Sequence, residues 1–182
     1  MFFVMIGTIM FACTDQSDGI QQKNVSDAQS QEERKKLATT FSEQTHNETI
    51  KILQSYEKIR ALFASDSIVG LETYCDEIIS ISKQAEFAAP DNLKPRYTII
   101  SDQAKELKKA KQDDLEAARQ DFGYLSRVVI ELLQEEPSLQ KDLYIFECPM
   151  AQDYKKWIQK EKTINNPYMG SKMLECGAPS SF

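Results

Sequence analysis

The chain has 182 residues, 41% of them hydrophobic and 27% charged, which is enough apolar material for one domain with a real core. The formal charge is −6 and no block of Lys and Arg forms a phosphate-tracking stripe, so nucleic acid is not expected as a partner.

In chain order, Met1 to Ala12 is almost wholly apolar, and Cys13 follows at once. Such a run is too short for a bilayer span, which needs about 20 apolar residues. Residues 1–12 read as the apolar part of an export signal with a small residue before the cut. A cysteine directly after that small residue resembles a bacterial lipobox, in which Cys13 is lipidated. The expected place is the cell envelope, held to a membrane by lipid and facing the periplasm. Residues 13–31 are rich in Ser, Asp, Gln and Asn and read as a tether, with few apolar groups to offset the cost of ordering.

Residues 32–136 carry helical spacing. A first helix places Leu37, Phe41, Ile52, Tyr56, Ile59 and Phe63 near one face. Ser65-Asp66-Ser67 reads as a capping cluster for a second helix with Ile68, Leu71, Cys75, Ile78, Ser82 and Ala85 at three- and four-residue steps. Pro90 and Pro95 bracket a break. A third helix uses Tyr97, Ile100, Ala104 and Leu107. Gln112-Asp113-Asp114 makes a turn and N-cap for a fourth, with Leu115, Ala118, Phe122, Leu125, Val129 and Leu132, and Pro137 ends that run. Aligning Asp66 on Asp113 shows a weak repeat of two helical hairpins. The expected fold is all-α: a four-helix antiparallel bundle over 32–136, with a small irregular Cys/Met-containing cap over 137–182. Within the cap, Leu143–Phe146 is a short aromatic run suited to a strand.

Little points to catalysis. The one histidine, His46, sits on the polar side of the first helix. No nucleophile elbow, phosphate loop or HExxH occurs. Asp113-Asp114 is explained by the N-cap, and Glu32-Glu33 and Glu135-Glu136 read as solvated helix ends. No enzyme is expected.

The tail is richer. Cys148, Met150, Met169, Met173 and Cys176 lie in two segments separated by Pro, Gly and Asn. In an extended segment Cys148 and Met150 share a side. In a helical turn Met169, Met173 and Cys176 share another. Facing each other they would offer up to five soft sulfurs, a set suited to Cu(I) or Ag(I). The alternative is a structural or interaction module whose cap is closed by a Cys148–Cys176 disulfide, with methionines as filling. Zinc fits poorly with two thiolates and a remote histidine. Haem attachment lacks its C-x-x-C-H motif. Cys75, at an apolar helix position, reads as core.

The tail runs Cys148-Pro149-Met150-Ala151, then Trp157, then Asn166-Pro167-Tyr168-Met169-Gly170, then Met173-Leu174-Glu175-Cys176-Gly177. In this order and spacing it resembles a bacterial domain family of unknown function. That family occurs in small exported proteins and fused to membrane-fusion subunits of copper and silver efflux systems. Upstream, Tyr56, Leu62, Asp66 and Leu107 through Asp114-Leu115-Glu116-Ala117-Ala118 also look similar, so the likeness covers about residues 48–178. It implies periplasmic heavy-metal handling, with copper as cofactor or cargo and efflux-pump components as partners. Trp157, Pro167 and Tyr168 would form the core of the cap. Members often carry an aromatic residue where Met169 stands, and the histidines of some members are absent.

Overall fold

The computed structural model describes residues 41–182. The export segment, Cys13, the tether and the predicted turns around Leu37 lie outside the described residues. Four helices follow one another: α1 (Glu43–Ala64), α2 (Leu71–Ala88), α3 (Lys94–Leu107) and α4 (Leu115–Glu135). Polar contacts give their directions. Just past α3, Lys108 meets Asp76 near the start of α2 at 2.8 Å. Arg96 at the start of α3 meets Glu131 near the end of α4 at 2.5 Å. Near the start of α4, Arg119 donates to the Phe63 carbonyl at the end of α1 at 3.0 Å. Sequential neighbours are therefore antiparallel, and α4 comes back to α1.

The helical spacing translates into burial. Ile52, Tyr56, Ile59 and Phe63 are buried from α1, and Leu71, Cys75, Ile78, Ser82 and Ala85 from α2. Tyr97, Ile100, Ala104 and Leu107 are buried from α3, and Ala118, Phe122, Leu125, Val129 and Leu132 from α4. These faces exclude water together, which is the main stabilising term for helices of this length. Ser42 caps α1 by accepting from Thr45 N at 3.1 Å, and Asp114 caps α4 by accepting from Ala117 N at 3.3 Å. Pro95 stands in the first turn of α3, where its missing N–H costs nothing. Among the described residues, no helix is long and apolar enough to cross a membrane.

Two local expectations change. Ser65-Asp66-Ser67 does not cap α2. Gly70, at φ +88°, precedes Leu71 without a side-chain cap, and Ile68 lies in the connection. Ser65 instead closes α1, and the Asp66 carboxylate is taken by Arg119 and Ser171. Glu136 is not a solvated helix end. It is fully buried, because the 3-10 turn Pro137–Gln140 folds back over it, with Leu139 N donating to its carbonyl at 3.0 Å. One carboxylate oxygen accepts from the Ser138 hydroxyl; the other has no partner among the described residues.

The fold is also not all-α. The C-terminal region forms a three-stranded antiparallel sheet in the order β2-β1-β3, from β1 (Tyr144–Glu147), β2 (Lys156–Gln159) and β3 (Ala178–Pro179). Phe146 faces Trp157 on one side and Pro179 on the other. The aromatic run at 143–146 thus finds two partners, where the sequence suggests one lone extended segment. The outer edge of β2 is covered by hydroxyls rather than left bare. The Lys156 carbonyl accepts from Ser126 at 2.9 Å and from Tyr168 at 2.7 Å, while Ile158 N donates to the Tyr56 hydroxyl at 3.4 Å. Tyr56 and Ser126 are themselves 2.7 Å apart.

Candidate functional site

The sheet is joined to the helices by a path of aromatic rings. Tyr56 stacks on Phe122 with centroids 5.3 Å apart, Phe122 meets Tyr168 at 5.8 Å, and Tyr168 meets Trp157 edge-on at 5.9 Å. Trp157 then meets Phe146 at 5.7 Å. These separations lie in the attractive range for ring pairs. Trp157 and Tyr168 are buried, as is Pro167. The indole N–H of Trp157 donates to Gln159 Oε1 at 2.9 Å, so its one polar group is satisfied in the dry interior.

Arg119 ties the Asn-Pro-Tyr segment to the bundle. Its Nε donates to the Pro167 carbonyl at 2.9 Å, and its Nη2 donates to Asp66 Oδ1 at 2.5 Å. The other Asp66 oxygen accepts from Ser171 N at 3.0 Å and from the Ser171 hydroxyl. Hydrogen bonds from Ser171 and then Arg119 hold the Asp66 carboxyl down at about 2. Gly170 sits at φ +56°, and a Cβ there would overlap the Asp66 carboxylate, so the motif's glycine is required for this clasp.

The two tail cysteines come together. Cys148 follows β1, is fully buried, and donates its N–H to the Lys155 carbonyl at 2.9 Å. Cys176 is half-buried and its thiol adjoins that of Cys148. Both are free thiols. Burial and the adjoining Cys148 push the Cys176 thiol up. Gly177 lets the tail pass over the indole, since a Cβ there would lie 2.9 Å from the Trp157 ring.

The methionines have other surroundings. Pro149-Met150 forms a turn, closed by Ala151 N donating to the Cys148 carbonyl at 3.3 Å, and this turn sends Met150 outward at 61% exposure. Gly170–Lys172 is a short 3-10 turn after a left-handed residue, so Met169, Met173 and Cys176 do not share the face of an α-helix. Met150 and Met169 instead line a cleft of about 170 Å³ with Glu116, Arg119, Gln120 and Lys172. Met173 is exposed. Among the described residues, no three His, Cys, Asp or Glu side chains converge as a metal site. A two-thiolate site fits, provided both thiols lose their protons in a partly dry setting.

The remaining candidates have other surroundings. Cys75 is fully buried in the bundle, and burial pushes its thiol up to about 12. His46 is half-buried and lines a cleft of about 400 Å³ between α1 and the segments 138–143 and 158–160.

Asn166 carries a role that spacing does not reveal. It is fully buried and its Oδ1 accepts from Tyr168 N at 2.8 Å and Met169 N at 3.2 Å, an Asx turn. The Asn-Pro dipeptide was the available signal for it. Comparison of the chain with protein families, curated proteins and solved structures gives no match.

Proposed function

We propose that the chain is a lipid-anchored module of the bacterial cell envelope that holds a partner rather than catalysing a reaction, with its cap closed by a Cys148–Cys176 disulfide. The observation that carries this reading is the contact between the two thiols at opposite ends of the cap. A thiol raised above its ordinary range is a poor exchange nucleophile, so the pair suits a lasting bond better than redox turnover. The export-type N-terminus supports an oxidising destination. A loop of roughly 30 residues closed in this way adds about 3–4 kcal/mol in the chain-entropy treatment. The test is acid-quenched alkylation of the mature envelope protein, followed by peptide mass analysis. A bridged 148–176 peptide pair beside an unbridged Cys75 is expected, with acyl mass on Cys13. Alkylation of both Cys148 and Cys176 without prior reduction sinks the closed cap.

A second reading has its own support. Met150 and Met169 share a cleft close to the cysteine-bearing turn, and the tail resembles a family placed beside copper and silver efflux. In this reading reduced Cys148 and Cys176 supply thiolates that hold Cu(I) or Ag(I), which favour soft sulfur, and membrane-fusion subunits are the partners. Titration of the reduced protein against a Cu(I) competitor decides it. Binding tighter than micromolar, weakened by Met150→Leu with Met169→Leu, favours metal. No such binding leaves the closed cap alone.

A further inference from the structure

We infer that Asn166 is the positioning residue that sets Cys176 against Cys148, and that its side-chain amide governs how stable their disulfide is; this rests on the closed-cap reading. The two cysteines are held by unlike means. Cys148 is fixed by β1 and by the Lys155 carbonyl. Cys176 arrives after an exposed stretch, Ser171 to Met173, and its own N–H reaches only the nearby Met173 carbonyl at 2.9 Å. Asp66 clasps the stretch at Ser171, and Asn166 ties the residues that follow it to the interior. Its backbone N–H donates to the Leu174 carbonyl at 2.8 Å, and its Nδ2 donates to the Cys176 carbonyl at 2.5 Å. Its Oδ1 is meanwhile committed to the turn at Tyr168 and Met169. One buried side chain therefore joins a rigid turn to the cysteine-bearing segment. Beyond Gly177, β3 holds the chain again through Glu147 and Ala178.

A disulfide is favoured in proportion to how often the folded, reduced protein brings its sulfurs together, so a group that pre-positions one cysteine shifts the potential. The reaction with glutathione disulfide is balanced. Two protein thiols give one S–S bond, their two electrons cleave the glutathione S–S bond, and their two protons leave on the two glutathione thiols formed.

Asn166→Asp separates the two arms of the side chain. It keeps an oxygen for Tyr168 N and Met169 N but turns a second oxygen toward the Cys176 carbonyl in place of the donor. Asn165→Asp adds the same charge one residue earlier, where the side chain is part-exposed and makes only a 3.4 Å contact to the Thr163 carbonyl. Each purified full chain is equilibrated in glutathione redox buffers and the Cys148–Cys176 bond is quantified by alkylation. Asn166→Asp should lower the equilibrium constant for oxidation at least tenfold, about 30 mV toward easier reduction. Asn165→Asp should match wild type. Should Asn166→Asp not fold, Asn166→Ser is read instead, since a serine hydroxyl can serve the turn but cannot reach the Cys176 carbonyl. Melting temperatures of the oxidised and reduced forms provide the second readout. A merely structural asparagine would lower both alike and leave the potential unchanged. Equal potentials in wild type and the Asn166 variants overturn the role of Asn166 alone. Absence of the bond in wild type overturns the closed cap, and this inference with it.

Discussion

Phe122 is the ring at which the helices and the sheet meet, and Phe122→Ala should cost close to 5 kcal/mol. The side chain is fully buried. Deleting a buried Phe ordinarily costs about 3–5 kcal/mol, and the spread depends on how far the neighbours collapse into the space. Here they cannot move far. Tyr56 is held through its hydroxyl to Ser126 at 2.7 Å, and Tyr168 through its own to the Lys156 carbonyl at 2.7 Å. Three ring contacts, at 5.3, 5.4 and 5.8 Å to Tyr56, Phe63 and Tyr168, disappear together. Fixed walls and lost ring pairs both place the site at the upper end of the range. Urea unfolding should be followed by far-UV circular dichroism for the helices and by fluorescence of Trp157, the single tryptophan, for the cap. The two transitions should coincide and shift together, because Phe122 touches both parts. The exposed Glu116→Ala should shift neither by more than about 0.5 kcal/mol. A loss below about 2 kcal/mol, or a helix transition that moves while the Trp157 transition stays, would refute the reasoning.

Two further outcomes are expected. Ser126→Ala strips the Tyr56 hydroxyl of one partner and the Lys156 carbonyl of another in a buried setting, and should cost about 1–3 kcal/mol in the same urea experiment; no loss would mean that water replaces the hydroxyl. For Asp66, the folded carboxyl titrates at about 2 through Ser171 and Arg119, below the roughly 3.9 of an unfolded chain. The stability that its charged form contributes is therefore complete above about pH 5 and is lost as pH falls toward 2. The stability gap between wild type and Asp66→Asn, measured from pH 7 to pH 2, should be flat down to about pH 5 and then narrow. A gap that widens on acidification would contradict the clasp.

The helices were legible because their apolar residues recur every three to four positions, and one buried stripe fixes one helix. Phe122, Ile52 and Ile100 all face inward as that rule requires. The sheet was only partly legible. Tyr144–Glu147 carries aromatic and branched residues, but Lys156–Gln159 is four residues long and Ala178–Pro179 only two, too short for an alternating pattern. Burial of Glu136 depends on a turn that closes over it from Pro137 onward, which no local pattern encodes. The two tail cysteines were legible as residues of one site, whereas the shared helical face expected for Met169, Met173 and Cys176 does not form. A four-residue spacing places sulfurs together only inside an α-helix, and the left-handed Gly170 prevents one there. Asp66 was read as a cap because Ser-Asp-Ser often is one. Its actual partners lie 53 and 105 positions away, beyond any local reading.

The hydroxyl that Tyr56 offers to Ile158 N spans 102 positions. Contacts between such distant residues form after the intervening loops have closed, so docking of the cap belongs to the late part of folding. A chain made from its N-terminus has completed the whole of α1 to α4 before Cys148 or Cys176 exists. In the folded bundle Cys75 is fully buried and its thiol is pushed up to about 12, which keeps it protonated and slow in exchange. Of the three pairings among Cys75, Cys148 and Cys176, two need this buried member. Under the closed-cap reading, the order of synthesis leaves Cys148 and Cys176 to each other before any isomerase needs to act, and the core position of Cys75 works as a guard against scrambling.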